Sequence, residues 1–274
     1  MTTHTAATEK LSLGMIIRHE YPLLISIISM ILFMQFGKNW LADLSNPPWF
    51  ALMLGWLLVV ILLSAFAIVR HAECLAIILG EPLGTLVLTL SIIGVEVLMI
   101  SAVMLSGDGN PTMARDTMTA VVMILLGGMA GLSLLLGGLK HHEQSYNLHG
   151  AQAFLALIIP LAILGLILPN FTTTTSTPTL STFQSIFLSV MSLGIYGIFL
   201  AVQTNRHSNY FISPEKNQDD MLHDDHRVQA TWYHGLFLLL YILPMVILAK
   251  KLATPLDHGT AVLGAPEALS GFIV

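Results

Sequence analysis

The chain has 274 residues, of which 55% are hydrophobic and only 10% are charged, and its formal net charge is −5. A soluble domain carries about 25% charged residues and needs more polar surface than this composition supplies. The composition therefore excludes a typical soluble enzyme and a disordered chain, and the negative charge argues against a nucleic-acid partner. The single cysteine, Cys74, leaves no intrachain disulfide and no cysteine-based zinc site. We therefore predict an all-α, polytopic transmembrane protein whose partner is the lipid bilayer.

Seven apolar segments follow in chain order, each long enough or nearly long enough to cross a hydrocarbon core of about 30 Å as a helix. They cover residues 21–36, 50–69, 83–105, 117–139, 154–168, 183–202 and 235–249. An eighth apolar run begins at Leu263 and reaches Val274. As a helix it would rise only about 18 Å, too little to cross the bilayer. We therefore interpret the chain as a truncated product with seven helices and part of an eighth.

The distribution of lysine and arginine predicts the orientation. More of them lie on the side of the N-terminus than on the opposite side, which favours a cytoplasmic N-terminus. The N-terminal side has Lys10, Arg18, Arg70, Lys140, Arg206, Lys216 and Arg227, and the other side has Lys38, Arg115, Lys250 and Lys251. Four aromatic residues near predicted helix ends, Trp40, Trp49, Trp232 and Tyr233, fit an interfacial belt or are incidental loop residues.

The predicted organisation has four parts. A polar tail over 1–20 precedes a six-helix membrane domain over 21–202, a cytoplasmic loop over 203–231, and the start of a second membrane half over 232–274. The loop is acidic and rich in histidine, and its segment His223-Asp224-Asp225-His226 could bind a metal or sense pH. A solvated acidic loop is the simpler alternative. The remaining histidines are assigned to tails, loops and helix ends, so paired haem ligation is not expected.

The third apolar segment carries the most informative residue, Glu96. It is predicted to lie deep in the hydrocarbon region, where a carboxylate is expensive and by default marks an ion or proton pathway. Thr85, Thr89 and Glu96 fall at about 0°, 40° and 20° on a helical wheel, so they form one polar stripe. Hard oxygens suit Ca²⁺, Na⁺ or K⁺ better than soft metals. Alternatively, the threonines bond back to helix carbonyls and Glu96 bonds to a neighbouring helix.

A carboxylate at this depth is suited to exchange, because a proton and a cation compete for the same oxygens. Such competition at a site with alternating access is antiport. The fourth segment contains Gly127 and Gly131, a spacing typical of closely packed membrane helices.

A faint repeat links the two ends of the chain. Gly80 and Pro82 recur as Gly264 and Pro266, in both cases just before an apolar run, at an offset of 184 residues. Five helices separate the two starts, and an odd displacement reverses the direction across the membrane, as in inverted-topology repeats. On this hypothesis a second acidic residue would lie at about position 280, equivalent to Glu96.

These residues resemble a known family. The run Gly-Glu-Pro-Leu-Gly-Thr-Leu at 80–86, leading to Glu-Val-Leu at 96–98, resembles the first conserved repeat of bacterial calcium/proton antiporters. These proteins form the cation/proton exchanger branch of the calcium/cation antiporter superfamily. Residues 137–147 are similar to the segment after the next helix in that family, and residues 263–271 to the opening of its second repeat.

The resemblance implies an inverted-repeat fold of one plus five plus five helices, of which this chain holds the first half, with an acidic cytoplasmic loop between the halves. It makes Glu96 the cation- and proton-binding carboxylate, places Thr85 and Thr89 nearby, and puts Glu81 near the cytoplasmic entrance. The implied activity is exchange of Ca²⁺, or of Na⁺ or K⁺, for H⁺ at the bacterial inner membrane, without a cofactor.

Two other classes remain as alternatives. One is a truncated non-transporting protein of the same family, or a sensor or partner subunit built on the 203–231 loop. The other is a membrane enzyme, which the lack of a mid-helix histidine in the predicted spans and of a His-Glu-x-x-His motif disfavours. We therefore expect no catalytic residues, and the sequence does not predict an oligomeric state.

Overall fold

The computed structural model describes residues 20–80, 83–105, 112–142, 148–176, 179–201, 230–265 and 268–273. The regular secondary structure in these residues is entirely helical. Six of the described helices are long and apolar enough to cross a membrane. The protein is therefore an all-α, multi-pass membrane protein, as predicted.

We label the helices in chain order. They are α1 (Tyr21–Gln35), α2 (Pro47–Leu79), α3 (Leu83–Met104), α4 (Met113–His141), α5 (Leu148–Phe171), α6 (Thr182–Ala201), α7 (Thr231–Leu263) and α8 (Ala268–Ile273). A single helical turn over Gly37–Trp40 follows α1. Two of the helices change their winding: α4 contains a π-helical segment over Ile124–Met129, and α5 contains one over Ile163–Ile167 after Pro160.

Two helices are much longer than predicted. The apolar runs 50–69 and 235–249 end at charged residues, but α2 and α7 continue through Arg70 and Lys250 to reach 33 residues each. Such helices are about 50 Å long and exceed the hydrocarbon core. Hydropathy locates only the part of a helix that lies in lipid, so His71 and Lys250, which were assigned to loops, belong to helices.

The described helices fall into two compact units, of which the first holds α1, α2, α3 and α7. Here α7 packs along α2, and both α1 and α3 pack on that pair. Its core includes Phe33, Leu57, Tyr241 and Leu248, all with no exposed surface.

Polar contacts also join α1 to α2 in this unit. The fully buried hydroxyls of Ser26 and Ser64 lie 2.7 Å apart, and the Trp56 indole donates to Ser29 Oγ at 3.0 Å. Small hydroxyl residues of this kind allow membrane helices to approach closely and bond across the contact.

The second unit holds α4, α5, α6 and α8. In it α8 packs on the start of α4, where a Cβ built on Gly271 would lie 3.0 Å from Thr117 N. The guanidinium of Arg115 on α4 donates to the side-chain oxygen of Asn170 on α5 at 2.9 Å.

The described residues show no close helix contact at two glycines of α4. Among the described residues, no atom lies within 4 Å of a Cβ built on Gly127 or Gly131. Gly127 instead lies in the π-helical segment of α4, and most of this helix is exposed. A small-residue spacing makes close packing possible without supplying the partner, so the packing role of these glycines stays a prediction.

The geometry of α2 and α7 supports the predicted inverted repeat. Both helices have 33 residues, their starts are 184 positions apart, and both end at a glycine with positive φ: Gly80 at 64° and Gly264 at 58°. Side-chain contacts show that the two helices are antiparallel. His71 near the end of α2 meets His234 at the start of α7, and Phe50 at the start of α2 meets His258 near the end of α7.

Candidate functional site

Glu96 lies on α3, about 12 Å from Met104 and about 20 Å from Leu83 along the helix axis. It is half-buried, and in the described part of the chain its carboxylate makes no hydrogen bond or ion pair. A carboxylate inside an apolar helix needs a proton or a cation to balance its charge. Among the described residues Glu96 therefore has no protein group that balances its charge.

The two threonines share the helix face of Glu96 but not its immediate surroundings. Thr89 is about 10 Å and Thr85 about 16 Å from Glu96 along the axis. Thr89 Oγ1 donates to the Thr85 carbonyl oxygen at 2.7 Å, which is the back-bonding alternative considered above. The three residues therefore lie in a line along one face of α3, and their role as a shared ion site stays a prediction.

A close approach of backbones sets the start of α3 against the end of α2. Gly80 turns the chain with a φ of 64°, and the Gly84 amide donates to the Gly80 carbonyl at 2.6 Å. A Cβ on Gly84 would collide with the carbonyl oxygen of Ala76. Glycine at position 84 therefore lets α3 begin directly against α2, which determines where Glu96 lies in the first unit.

Several predicted site residues lie outside the described part of the chain. These are Glu81, predicted at the cytoplasmic entrance, and the loop residues His223, Asp224, Asp225 and His226. Among the residues that are described, no group of three or more His, Cys, Asp or Glu side chains forms a metal site. Glu96 thus contributes one carboxylate without a second acidic ligand in the described chain.

A second ionisable cluster, which the sequence does not predict, lies in the first unit. Glu20 was assigned to the polar tail, but it is only 5% exposed. Its Oε1 accepts a hydrogen bond from the Tyr233 hydroxyl at 2.9 Å. Its Oε2 accepts from the Tyr241 hydroxyl at 2.9 Å and from Arg70 Nη2 at 3.0 Å. Tyr233 is therefore a buried donor and not a member of an interfacial aromatic belt.

Two buried histidines extend this cluster from Glu20 to α7. His71 Nε2 lies 3.3 Å from Glu20 Oε2, and His71 Nδ1 lies 3.0 Å from His234 Nδ1. Both histidines are almost fully buried, at 1% and 4% exposure. We define the acid–histidine cluster as Glu20, Arg70, His71, Tyr233, His234 and Tyr241.

The cluster keeps Glu20 ionised. Burial alone would raise the pKa of this carboxyl, but the hydrogen bond from His71 and the positive charges of His71 and Arg70 outweigh it and lower the pKa from 4.5 to about 2. The sequence contained only a weak signal for this arrangement: Arg70 and His71 follow an apolar run, and Tyr233 and His234 precede one. The neighbouring residues in the sequence do not indicate that these two pairs contact each other and Glu20.

Comparison with known proteins places the chain among exchangers. Residues 49–205 match the family described as sodium/calcium exchanger protein. The chain is 38% identical over 220 residues to "Sodium-potassium/proton antiporter ChaA" of Escherichia coli (strain K12), covering 79% of this chain and 59% of that protein. It is 40% identical over 213 residues to "Putative ionic transporter y4hA" of Sinorhizobium fredii (strain NBRC 101917 / NGR234), covering 77% and 58%.

The chain thus spans less than two thirds of the length of these relatives. No solved structure matches it. The family match covers more than half of the chain and includes Glu96, α2 and α3. On this evidence, the chain belongs to the sodium/calcium exchanger protein family.

Proposed function

We propose that the full-length protein is a cation/proton antiporter of the bacterial inner membrane, in which Glu96 binds the transported cation and the proton in turn. The observation that carries the proposal is the position of Glu96 in the interior of an apolar helix, without a protein partner in the described chain. The printed name of the Escherichia coli relative supports the same reaction class.

The chemistry follows from the competition of two ligands for one carboxylate. In a low-dielectric site the ionised form needs a positive charge close by, which a cation or a proton can supply. The two cannot be held together without adding an uncompensated charge. Each arriving cation therefore displaces a proton, and the exchange is coupled as long as the empty ionised site crosses the membrane slowly.

The remaining site assignments are part of the same proposal. Thr85 and Thr89 would form a polar path from the start of α3 toward Glu96, and Glu81 would lie near its cytoplasmic entrance. The acidic segment at His223, Asp224, Asp225 and His226 would face the cytoplasm as a regulatory loop. This orientation requires a cytoplasmic N-terminus, which the excess of lysine and arginine on that side favours.

The test is cation-driven proton movement in membrane vesicles that carry the full-length gene product. The internal pH is followed with a fluorescent dye after cation addition. We expect Glu96→Gln to remove the signal, because glutamine can neither release a proton nor balance a cation, and Glu96→Asp to retain part of it. The matched control is Glu73→Gln, since Glu73 is an exposed carboxylate near the end of α2. Persistent exchange in Glu96→Gln would overturn the role of Glu96.

The same assay identifies the cation. We propose Na⁺ and K⁺ as substrates beside Ca²⁺, because the Escherichia coli relative is named for sodium and potassium while hard oxygen ligands also suit Ca²⁺. Each cation is added separately at several concentrations. A response to Ca²⁺ alone would restrict the substrate to the divalent cation. A response to Na⁺ or K⁺ alone would exclude Ca²⁺ as a substrate.

A further inference from the structure

The two ends of the α2–α7 pair differ in chemistry although they are related by the repeat. An offset of 184 residues relates His71 to Pro255 and His234 to Phe50. The contact between His71 and His234 therefore has its counterpart, within one helical turn, in the contact between Phe50 and His258. Ring centroids are 5.2 Å apart at the first contact and 5.3 Å apart at the second. An aromatic contact is thus sufficient to pack these helices, and packing does not explain the buried histidine pair.

The geometry of the pair limits how many protons it can hold. His71 Nε2 faces the Glu20 carboxylate and donates to it, so the remaining nitrogen, Nδ1, faces His234 Nδ1 at 3.0 Å. One hydrogen fits between these two nitrogens, carried by either ring. If each ring carried a hydrogen on Nδ1, two N–H groups would point at each other across this distance. The pair therefore exists as a neutral form or as a form with one extra proton.

We propose that His71 and His234 form a one-proton binding site, separate from Glu96, through which the pH on the side of Glu20 controls how tightly α1, α2 and α7 are held together. With the extra proton, His71 forms an ion pair with Glu20 and a charge-assisted hydrogen bond to His234, and both contacts are strengthened. Without the extra proton, His71 is neutral, and its contacts with Glu20 and His234 are both weaker.

The charged surroundings are consistent with one extra proton. Among the described residues, the titratable groups that contact the pair are Glu20 before α1 and Tyr233 and Tyr241 on α7. Arg70 and Glu73 lie near His71 in the sequence of α2, and Tyr21 follows Glu20. Glu20 and Arg70 bear opposite charges and pair at 3.0 Å, while Glu73 and Tyr21 are exposed. The Glu20 carboxylate accepts four hydrogen bonds, one of them from His71, so a proton on His71 meets a fixed negative charge.

The expected consequence for transport rests on the proposed antiport. By the offset of 184, α2 belongs to the first repeat and α7 to the second. Alternating access in such folds moves one repeat or bundle against the other. A proton that changes how tightly α1, α2 and α7 are held together should therefore change the exchange rate. This effect adds to that of pH at Glu96, where the proton is itself a substrate.

The direct test is nuclear magnetic resonance of the full-length protein in detergent, with ¹⁵N in the histidine rings. His71→Gln and His234→Gln identify the two sets of signals. In the wild type, the ring signals of both histidines should change together in one step as the pH is varied. Two independent steps, or no change in either ring, would overturn the proposal. The wild-type spectrum decides this point even if a variant fails to fold.

The matched control is His258→Gln, because His258 is on the same helix but contacts Phe50 at the opposite end of the α2–α7 pair. It should leave the step at His71 and His234 unchanged. In the vesicle assay, His71→Gln should change the shape of the dependence of the exchange rate on pH, while the dependence caused by the substrate proton at Glu96 remains. His258→Gln should keep the wild-type profile. A wild-type profile in His71→Gln would contradict the control of transport. If neither the wild type nor any variant exchanges cations, the proposed function fails. The magnetic resonance titration of His71 and His234 still tests the proton site in that case.

Discussion

At the scale of single residues, two carboxylates in this protein have opposite environments. Glu20 is surrounded by donors and positive charge, while Glu96 lies in an apolar helix without a partner in the described chain. The first arrangement holds a carboxylate permanently ionised, and it suits a structural role. The second leaves the charge without a protein partner in the described chain, as the proposed ion-binding role requires. Local sequence does not reveal this difference, because both residues are glutamates close to apolar segments.

The lowered pKa of Glu20 predicts how stability depends on pH. Its folded-state pKa of about 2 lies below the ordinary value of 4.5, so its contribution is fully present above about pH 4.5 and is lost as pH falls toward 2. We expect Glu20→Gln to lower the free energy of unfolding near pH 7 by about 3 kcal/mol, as for a broken buried ion pair. Thermal unfolding of the purified protein, followed by tryptophan fluorescence, measures this change.

The control for Glu20 is Asp43→Asn. Asp43 is fully exposed, and hydrogen bonds from Ser45 lower its pKa. The substitution should leave the melting temperature nearly unchanged. An equal loss of stability in both variants would show that Glu20 contributes no more than a surface carboxylate.

At the scale of helices, the junction of α2 and α3 depends on a missing side chain. The start of α3 lies so close to α2 that a Cβ on Gly84 would overlap the Ala76 carbonyl, whereas a Cβ on Gly94 in the same helix meets nothing within 4 Å. Both residues are glycines, and both have apolar neighbours in the sequence. What separates them is the distance to the neighbouring backbone, and a backbone atom cannot move away as the end of a flexible side chain can.

The paired substitutions Gly84→Ala and Gly94→Ala test this difference. Gly84→Ala should destabilise the protein by about 1–3 kcal/mol, because the two helices must separate. Gly94→Ala should be neutral or stabilising by up to about 1 kcal/mol, since alanine favours the helix more than glycine. Melting temperatures of the two purified variants give the comparison. Equal effects of the same sign would contradict the close approach at Gly84.

At the scale of the whole molecule, the proposed orientation makes a prediction about labelling. If the N-terminus is cytoplasmic, the loop after α1 and the loop after α5 face outward, and the end of α4 faces the cytoplasm. In a Cys74→Ser background, Ser45→Cys and Thr174→Cys should react with a membrane-impermeant maleimide on intact cells. His141→Cys should react only after the cells are permeabilised. All three positions are exposed in the structure. The reverse pattern would show the opposite orientation.

Much of the architecture could be predicted from the sequence because lipid imposes a local rule. Each spanning segment must satisfy its own backbone and present apolar side chains, so apolar runs located α1 to α7. The ends of α3 were predicted to within one residue, since turn residues directly border its apolar run. The ends of α2 and α7 were not, because both helices continue through charged residues beyond the lipid. The role of Glu96 as the ion-binding carboxylate stays a prediction.

The sequence by itself determined the helical class, the membrane location and the approximate spans, since each depends on residues close together in the chain. It also contained the offset of 184 and placed Glu96 inside an apolar run. Only the tertiary structure decided the rest. It joined Glu20 to Tyr233 across 213 residues and His71 to His234 across 163, and it placed Gly84 against Ala76. These contacts depend on which helix faces pack together. Composition and periodicity do not specify that choice, because in a membrane protein the faces toward lipid and toward other helices are both apolar.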